Sequence, residues 1–282
     1  MLEKACRAAG FDAASAELIR AGENHLYRLP GGVVARVTRP GQFDAAAKEV
    51  RVSQWLTSLG FPVVQALAVT QPVDVEGRAV TFWQELAQHR PGTMAELADL
   101  LRQLHALPAP NVELPPLAPF VRIRERIETA AMSDTDREWL QNRLAELQEL
   151  YAELPDGLPW CAIHGDPWDG NIAVTADGPV LLDLERFGYG PPGWDLAAMA
   201  VDHITFGLLP MDDWAAFCDR YSRDVTRWHG FEVLRDIREL RKVTFAFQMA
   251  EQRADIADQA AYRLACLRGQ HGPRPWGWTA VP

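Results

Sequence analysis

Two neighbouring stretches constrain this chain more than any other part of it. The first is Ile163-His164-Gly165-Asp166-Pro167-Trp168-Asp169-Gly170-Asn171-Ile172, and the second is Leu181-Leu182-Asp183-Leu184-Glu185. Between them, Ile172-Ala173-Val174-Thr175 and Pro179-Val180-Leu181-Leu182 are apolar, strand-like runs. They flank Ala176-Asp177-Gly178, a turn signal in which glycine is free to take positive φ. The pattern predicts a hairpin with Asn171 at the start of one strand and Asp183 at the end of its neighbour. An amide oxygen and a carboxylate then meet at the same end of the ribbon.

The spacing H-x-D, four residues, N is that of a protein kinase catalytic loop, H-R-D-x-x-x-x-N, with Gly165 in place of Arg. Phosphoryl transfer needs a carboxylate that orients the attacking hydroxyl and accepts its proton, a role that suits Asp166. It also needs oxygen ligands for the Mg²⁺ that bridges nucleotide phosphates, and Asn171 and Asp183 suit that role.

On these residues the chain resembles the aminoglycoside phosphotransferase family, which carries H-G-D-x-x-x-x-N followed by D-x-E or D-x-D. Asp183-Leu184-Glu185 stands in the second place, and the D-F-G of protein kinases is absent. The resemblance implies an α+β, two-lobed protein kinase-like fold. A small antiparallel sheet lobe with one helix, residues 1–85, comes first, and a larger, mainly helical lobe, residues 86–282, follows. ATP, with GTP possible, and Mg²⁺ are the implied cofactors. The implied partner is a small molecule bearing a hydroxyl, with an aminoglycoside or another sugar- or nucleoside-containing antibiotic as the expected acceptor.

The rest of the chain fits that frame. Residues 2–20 read as an amphipathic helix pair, or a helix and a turn. Two short strand patterns around Pro30-Gly31-Gly32 read as a hairpin. By resemblance, the loop holding Gly22 and Asn24 covers the nucleotide, and Arg36 stands where kinases keep a strand lysine on the phosphates. A guanidinium can replace that lysine because it stays charged and offers phosphate oxygens two donors. Helical spacing from Phe43 to Leu59 puts Ala47, Val50, Trp55 and Leu59 on one face. On the same helix, Glu49 falls where the kinase fold pairs a glutamate with the strand cation.

Phe61–Val64, Val69–Val73 and Arg78–Trp83 continue as extended segments, which makes five strands in all. Gln84-Glu85-Leu86-Ala87 reads as the hinge, where the resemblance places backbone contacts to adenine at Gln84 and Leu86. Beyond it the periodicity turns helical: Met94–Leu107, Phe120–Ala131, Ser133–Leu154 with Ser133 as N-cap, and three or four helices over 212–268. Asp195 is expected to cap a helix from Leu196 to Thr205, and by resemblance to brace the catalytic loop. Asp202, Asp213, Glu251 and Asp255 are acceptor-binding candidates. The two tryptophans of the Pro- and Gly-rich tail are expected to pack back on the helical lobe.

Composition excludes several classes. A net charge of −10 argues against a broad nucleic-acid-binding surface. No run is apolar enough to span a bilayer and no signal-peptide pattern opens the chain, so a cytoplasmic protein without a membrane partner is expected. The four cysteines form no C-x-x-C. There is no P-loop, no G-x-S-x-G and no H-E-x-x-H, which leaves P-loop and hydrolase readings without support. A metabolic kinase acting on choline, homoserine or a sugar remains open, as does a non-catalytic nucleotide-binding relative. Oligomeric state leaves no trace in the sequence.

Overall fold

Val33, Ala35 and Val37 are buried while Val34 and Arg36 between them are half-buried, the period-2 pattern of a strand with unlike faces. In the computed structural model, which describes residues 1–22 and 24–281, that strand is the middle of an antiparallel sheet. Its order is β1-β2-β3-β5-β4, with β1 at Glu17–Ala21, β2 at His25–Leu29, β3 at Val33–Pro40, β4 at Val73–Val75 and β5 at Arg78–Gln84. The register sets Ala35 opposite Phe82 and Arg36 opposite Thr81. Ala35, Val37, Val80 and Phe82 form one core with Leu29, Val75 and the buried Ala5 and Cys6 of helix α1 (Leu2–Ala9). Full burial of a side chain such as Phe82 stabilises the fold by about 1.5–3 kcal/mol. Because faces alternate, Arg36 points away from this core.

The sheet has five strands, the expected number, but they are not the expected five, and in place of Val69–Val73 the strand is β4 at Val73–Val75. Residues 17–21 form an edge strand rather than helix or turn, and all five are exposed. An exposed edge strand carries no alternation to read, and only its pairing with β2 defines it. Conversely, Phe61–Val64 does not join this sheet. Val63 bridges Leu181, and the Val64 N–H donates to the Leu181 carbonyl at 2.9 Å.

Helix α2 (Phe43–Ser58) buries Ala46, Val50, Val52, Trp55 and Leu56. Strand β6 (Arg90–Pro91) pairs with β8 (Ile172–Thr175), which forms the anticipated hairpin with β9 (Gly178–Leu181). Gly178 sits at φ 119°, a conformation open to glycine. Between β6 and the hairpin in sequence, α3 (Met94–His105) begins at a capping box. Thr93 Oγ1 accepts from the Glu96 N–H at 3.3 Å, and the Glu96 carboxylate accepts from the Thr93 N–H at 2.9 Å.

The chain divides into two compact units, residues 1–115 with 168–188 and residues 116–167 with 189–282. The division is not one cut at 85/86. The hairpin of residues 172–181 is tied by β6 and by residues 62–64 to the sheet-bearing unit, so that unit takes up two separate stretches of chain.

The second unit is built around α8 (Phe231–Ala250), whose Leu234, Ile237, Leu240 and Val243 are fully buried at helical spacing. Against it pack α4 (Ile123–Thr129), α5 (Asp134–Ala152), α6 (Gly193–Val201) and α9 (Ala257–Leu267). The short strand β7 (Cys161–Ile163) leads out of α5 to His164, and α7 (Met211–Tyr221) follows α6. Ser133 caps α5 by accepting from the Asp136 N–H at 3.1 Å, and Leu140, Leu144 and Leu147 are its buried stripe. In the tail Trp278 is fully buried and stacks on Trp276, so both tryptophans pack back as expected. Among the described residues, no helix is long and apolar enough to cross a membrane.

Candidate active site

In the sheet-bearing unit, Arg36 leaves β3 on the face opposite the α1 core and donates through Nη1 to Glu49 of α2. Glu49 is buried, and burial pushes its carboxyl above the ordinary range. The Arg36 charge opposes that shift, and the negative charges of Asp183 and Glu185 add to it. With its amide oxygen turned toward Arg36, Asn24 accepts from Nη2 at 2.7 Å and Nε at 3.2 Å. A Glu185 carboxylate oxygen lies 3.9 Å from Nη2. Groups from the β1–β2 connection, from α2 and from the segment after Asp183 thus surround the cation.

The hairpin positions the two oxygen donors. Ile172 faces Leu181 in the ladder, and the Leu182 N–H donates to the Asn171 carbonyl at 2.9 Å. That extra rung carries Asn171 and Asp183 to the same end of the ribbon. The Asn171 side chain is buried and Asp183 is exposed. Asp183 adopts φ 53°, a left-handed conformation that Asp tolerates better than most residues. Its Oδ1 accepts from the Glu185 N–H at 3.3 Å, which closes a local turn.

These groups line one cavity of about 1050 Å³ within this unit. Asn24, Arg36, Glu49, Asn171 and Asp183 face it, and so do Gln84 and Leu86. Gly22 does not line it; it is exposed and lies beside the Arg20 side chain. The cavity is wide enough for a nucleotide-sized ligand. Its wall runs from apolar Ile19, Leu26, Val34 and Trp83 to the Arg36 and Asp183 end. Among the described residues, no three His, Cys, Asp or Glu side chains cluster to hold a metal by themselves. A pair of oxygen donors fits Mg²⁺, which takes one or two protein oxygens and completes its shell with substrate phosphates and water.

Lys48 carries no signal in the sequence, yet it sits beside Glu49 and holds the backbone of Glu185, which lines the same cavity. Its Nζ donates to the carbonyls of Glu185 at 2.5 Å and Phe187 at 3.1 Å, and burial holds its amine below the ordinary lysine range. A lysine next to the glutamate of interest carries no distinguishing pattern in one sequence.

In the helical unit, Asp166 is exposed at the end of His164-Gly165, and Asp195 holds this loop from beneath. The Asp195 carboxylate accepts from the His164 N–H at 2.7 Å and from the Gly165 N–H at 2.8 Å. It does not cap a helix from Leu196. Helix α6 begins at Gly193, so Asp195 lies inside the first turn, fully buried, with both carboxylate oxygens used by the loop. The Trp194 indole N–H donates to the Gly165 carbonyl at 3.0 Å. Three polar groups of the loop backbone are thus satisfied by two consecutive side chains. Of the acceptor candidates, Asp202 is half-buried on a π-helical turn, Asp202–Phe206, while Asp213, Glu251 and Asp255 are exposed.

Known proteins agree with this architecture. The model of the phosphotransferase enzyme family matches residues 16–240, and the chain belongs to that family. A probable ketoamine kinase of Thermus thermophilus is 32% identical over 218 residues, which cover 68% of this chain and 77% of that one. A methylthioribose kinase of Exiguobacterium sibiricum is 30% identical over 110 residues. That match spans 37% of this chain and only 26% of the length of the kinase. Among solved structures, an amicoumacin kinase in complex with AMP-PNP, Ca²⁺ and Ami superposes with a TM-score of 0.68. The superposition covers 94% of this chain and 92% of that one at 14% identity, a likeness of fold. The fold is the α+β, protein kinase-like one expected from the sequence.

Proposed function

We propose that this protein transfers the γ-phosphate of ATP, or GTP, to a hydroxyl of a small molecule. One observation carries the reading: a single cavity is lined by the Arg36–Glu49 pair and by two oxygen donors at the end of a hairpin. In the chain, Asp166 precedes that hairpin at catalytic-loop spacing. Asp166 orients the acceptor hydroxyl and takes its proton. Arg36 binds phosphate oxygens with Glu49 fixing its direction, and Asn24, Gln84 and Leu86 complete the nucleotide contacts. Asn171 and Asp183 hold Mg²⁺, which when bound neutralises the phosphate charge. Little covalent chemistry is asked of the protein, and catalysis rests on positioning and charge.

The acceptor is a sugar-bearing molecule. Two relatives support a metabolic one, since their names describe kinases of a ketoamine and of methylthioribose. The family resemblance supports an aminoglycoside or another sugar- or nucleoside-containing antibiotic, with resistance as the consequence, and the amicoumacin kinase shares the fold. The reaction belongs in the cytoplasm, where ATP is supplied.

The test is mass spectrometry of ketoamines, thio- and aminosugars, choline, homoserine and hydroxylated antibiotics incubated with the protein, Mg²⁺ and ATP. A phosphate adduct on one class identifies reaction and acceptor together. Absence of both adduct and ATP hydrolysis would contradict the proposed activity and favour a nucleotide-binding protein without turnover.

A further inference from the structure

Beneath the His164-Gly165-Asp166 loop lies a buried cation that the proposed reaction does not use. Arg238 belongs to α8, more than seventy residues along the chain from Asp166, and is only 5% exposed. Its Nε and Nη2 both donate to the Trp194 carbonyl, at 3.0 and 2.6 Å. The guanidinium carbon stands 4.1 Å from the centroid of the Trp194 ring, so the same arginine grips this residue by its backbone and its face. Trp194 in turn donates its indole N–H to Gly165, and the adjacent Asp195 accepts from His164 and Gly165.

We infer that Arg238 is a positioning residue for the proposed base Asp166, acting through Trp194 and Asp195 to hold the His164-Gly165 backbone in its transfer geometry. The inference rests on the proposed function. Two physical features make the role specific. A guanidinium is planar and can bond one carbonyl through two donors while lying against an aromatic ring, which an ammonium cannot do. An ionised side chain is also costly to bury merely to fill space, since an apolar residue of similar volume packs at no charge penalty. Burial pulls the Arg238 guanidinium down from its ordinary range. The negative charges of Asp166, Asp195 and Asp202 oppose that shift, which places the cation within the field of the loop it braces.

The experiment compares wild type with Arg238→Met, which keeps volume but removes charge and donors, and with Arg238→Lys, which keeps charge but loses the forked contact. Amide hydrogen exchange is followed at His164 and Gly165, with α9 as internal reference. ADP formation from Mg·ATP, with the acceptor found by the panel when one is found, gives kcat and KM. Exchange at both loop amides is expected to accelerate in either variant while α9 is unchanged. In Arg238→Met kcat falls by about 10²-fold, the scale of a small misplacement of a reacting group, with KM for ATP unchanged. Lysine restores part of kcat. Wild-type exchange in Arg238→Lys overturns the inference, as does faster exchange with wild-type kcat. Should Arg238→Met not fold, the lysine variant decides alone. If wild type itself turns over no ATP, the proposed function fails, and exchange still decides whether Arg238 holds the loop.

Discussion

Lys48 and Glu185 meet at 2.5 Å, the ammonium of one donating to the backbone carbonyl of the other. Lys48 directly precedes Glu49, and Glu185 follows Asp183 by two positions. One turn of α2 therefore holds two parts of the cavity wall at once: the strand cation Arg36 through Glu49, and the segment after Asp183 through Lys48.

Lys48→Met removes both contacts to the post-Asp183 backbone. Loss of hydrogen bonds from a charged donor is expected to lower unfolding free energy by about 1–3 kcal/mol. Asp183 is then no longer fixed in its left-handed conformation, and the Mg²⁺ concentration for half-maximal rate should rise. Chemical denaturation and a Mg²⁺ titration of the rate check both effects. An unchanged metal requirement would show that the segment holds its shape without Lys48.

Arg36→Lys keeps the charge but loses the fork shared between Glu49 and Asn24. KM for ATP is expected to rise about tenfold, the equivalent of about 1.4 kcal/mol in binding, with a smaller change in kcat. Glu49→Gln should raise KM similarly, because Arg36 then lacks its directing charge. The fold should tolerate that change better than most buried substitutions, since burial already disfavours the Glu49 carboxylate. Steady-state kinetics beside thermal unfolding separate the two effects. A large loss of stability with unchanged KM would make the pair purely structural.

Much of this arrangement is legible in the sequence, and the exceptions share a cause. The hairpin, its glycine turn and the meeting of Asn171 with Asp183 follow from apolar runs and local spacing. Arg36 and Glu49 are placed by the resemblance to the kinase fold, and the structure pairs them. Asp195 resembles a cap from its position before an apolar run, and only the family resemblance, not any local pattern, points to the brace its carboxylate makes with backbone thirty residues earlier. Lys48 and Arg238 are invisible for the same reason, since both donate to backbone carbonyls and those are indifferent to side-chain identity. The edge strand of residues 17–21 is missed because both its faces are wet.

The capping box at the start of α3 gives the stability a pH dependence of known sign. Arg90 bonds both Glu96 oxygens, at 3.0 and 2.7 Å, and together with Thr93 holds the Glu96 carboxyl down at about 2. A carboxylate with a depressed native pKa stabilises the fold above its unfolded value of about 4.3 and loses that contribution as pH falls toward the native one. The difference in unfolding free energy between wild type and Glu96→Gln should be constant above pH 5 and shrink steadily below pH 4, as measured by urea titrations across that range. Because Arg90 and Pro91 pair with the strand that follows Asn171, the acid loss should be accompanied by weaker nucleotide binding. A difference independent of pH would mean that the Arg90 contact is not made in solution.

The most direct test of the account is phosphate transfer by Asp166→Ala, measured by mass spectrometry on the acceptor identified for wild type, with nucleotide affinity measured on the same sample. Asp166 is exposed at its loop, and Asp195 and Trp194 hold the backbone of His164 and Gly165 without it. Transfer is expected to be abolished while nucleotide binding stays close to wild type. Near-normal transfer by the variant would contradict the assignment of the central loop and the mechanism built on it.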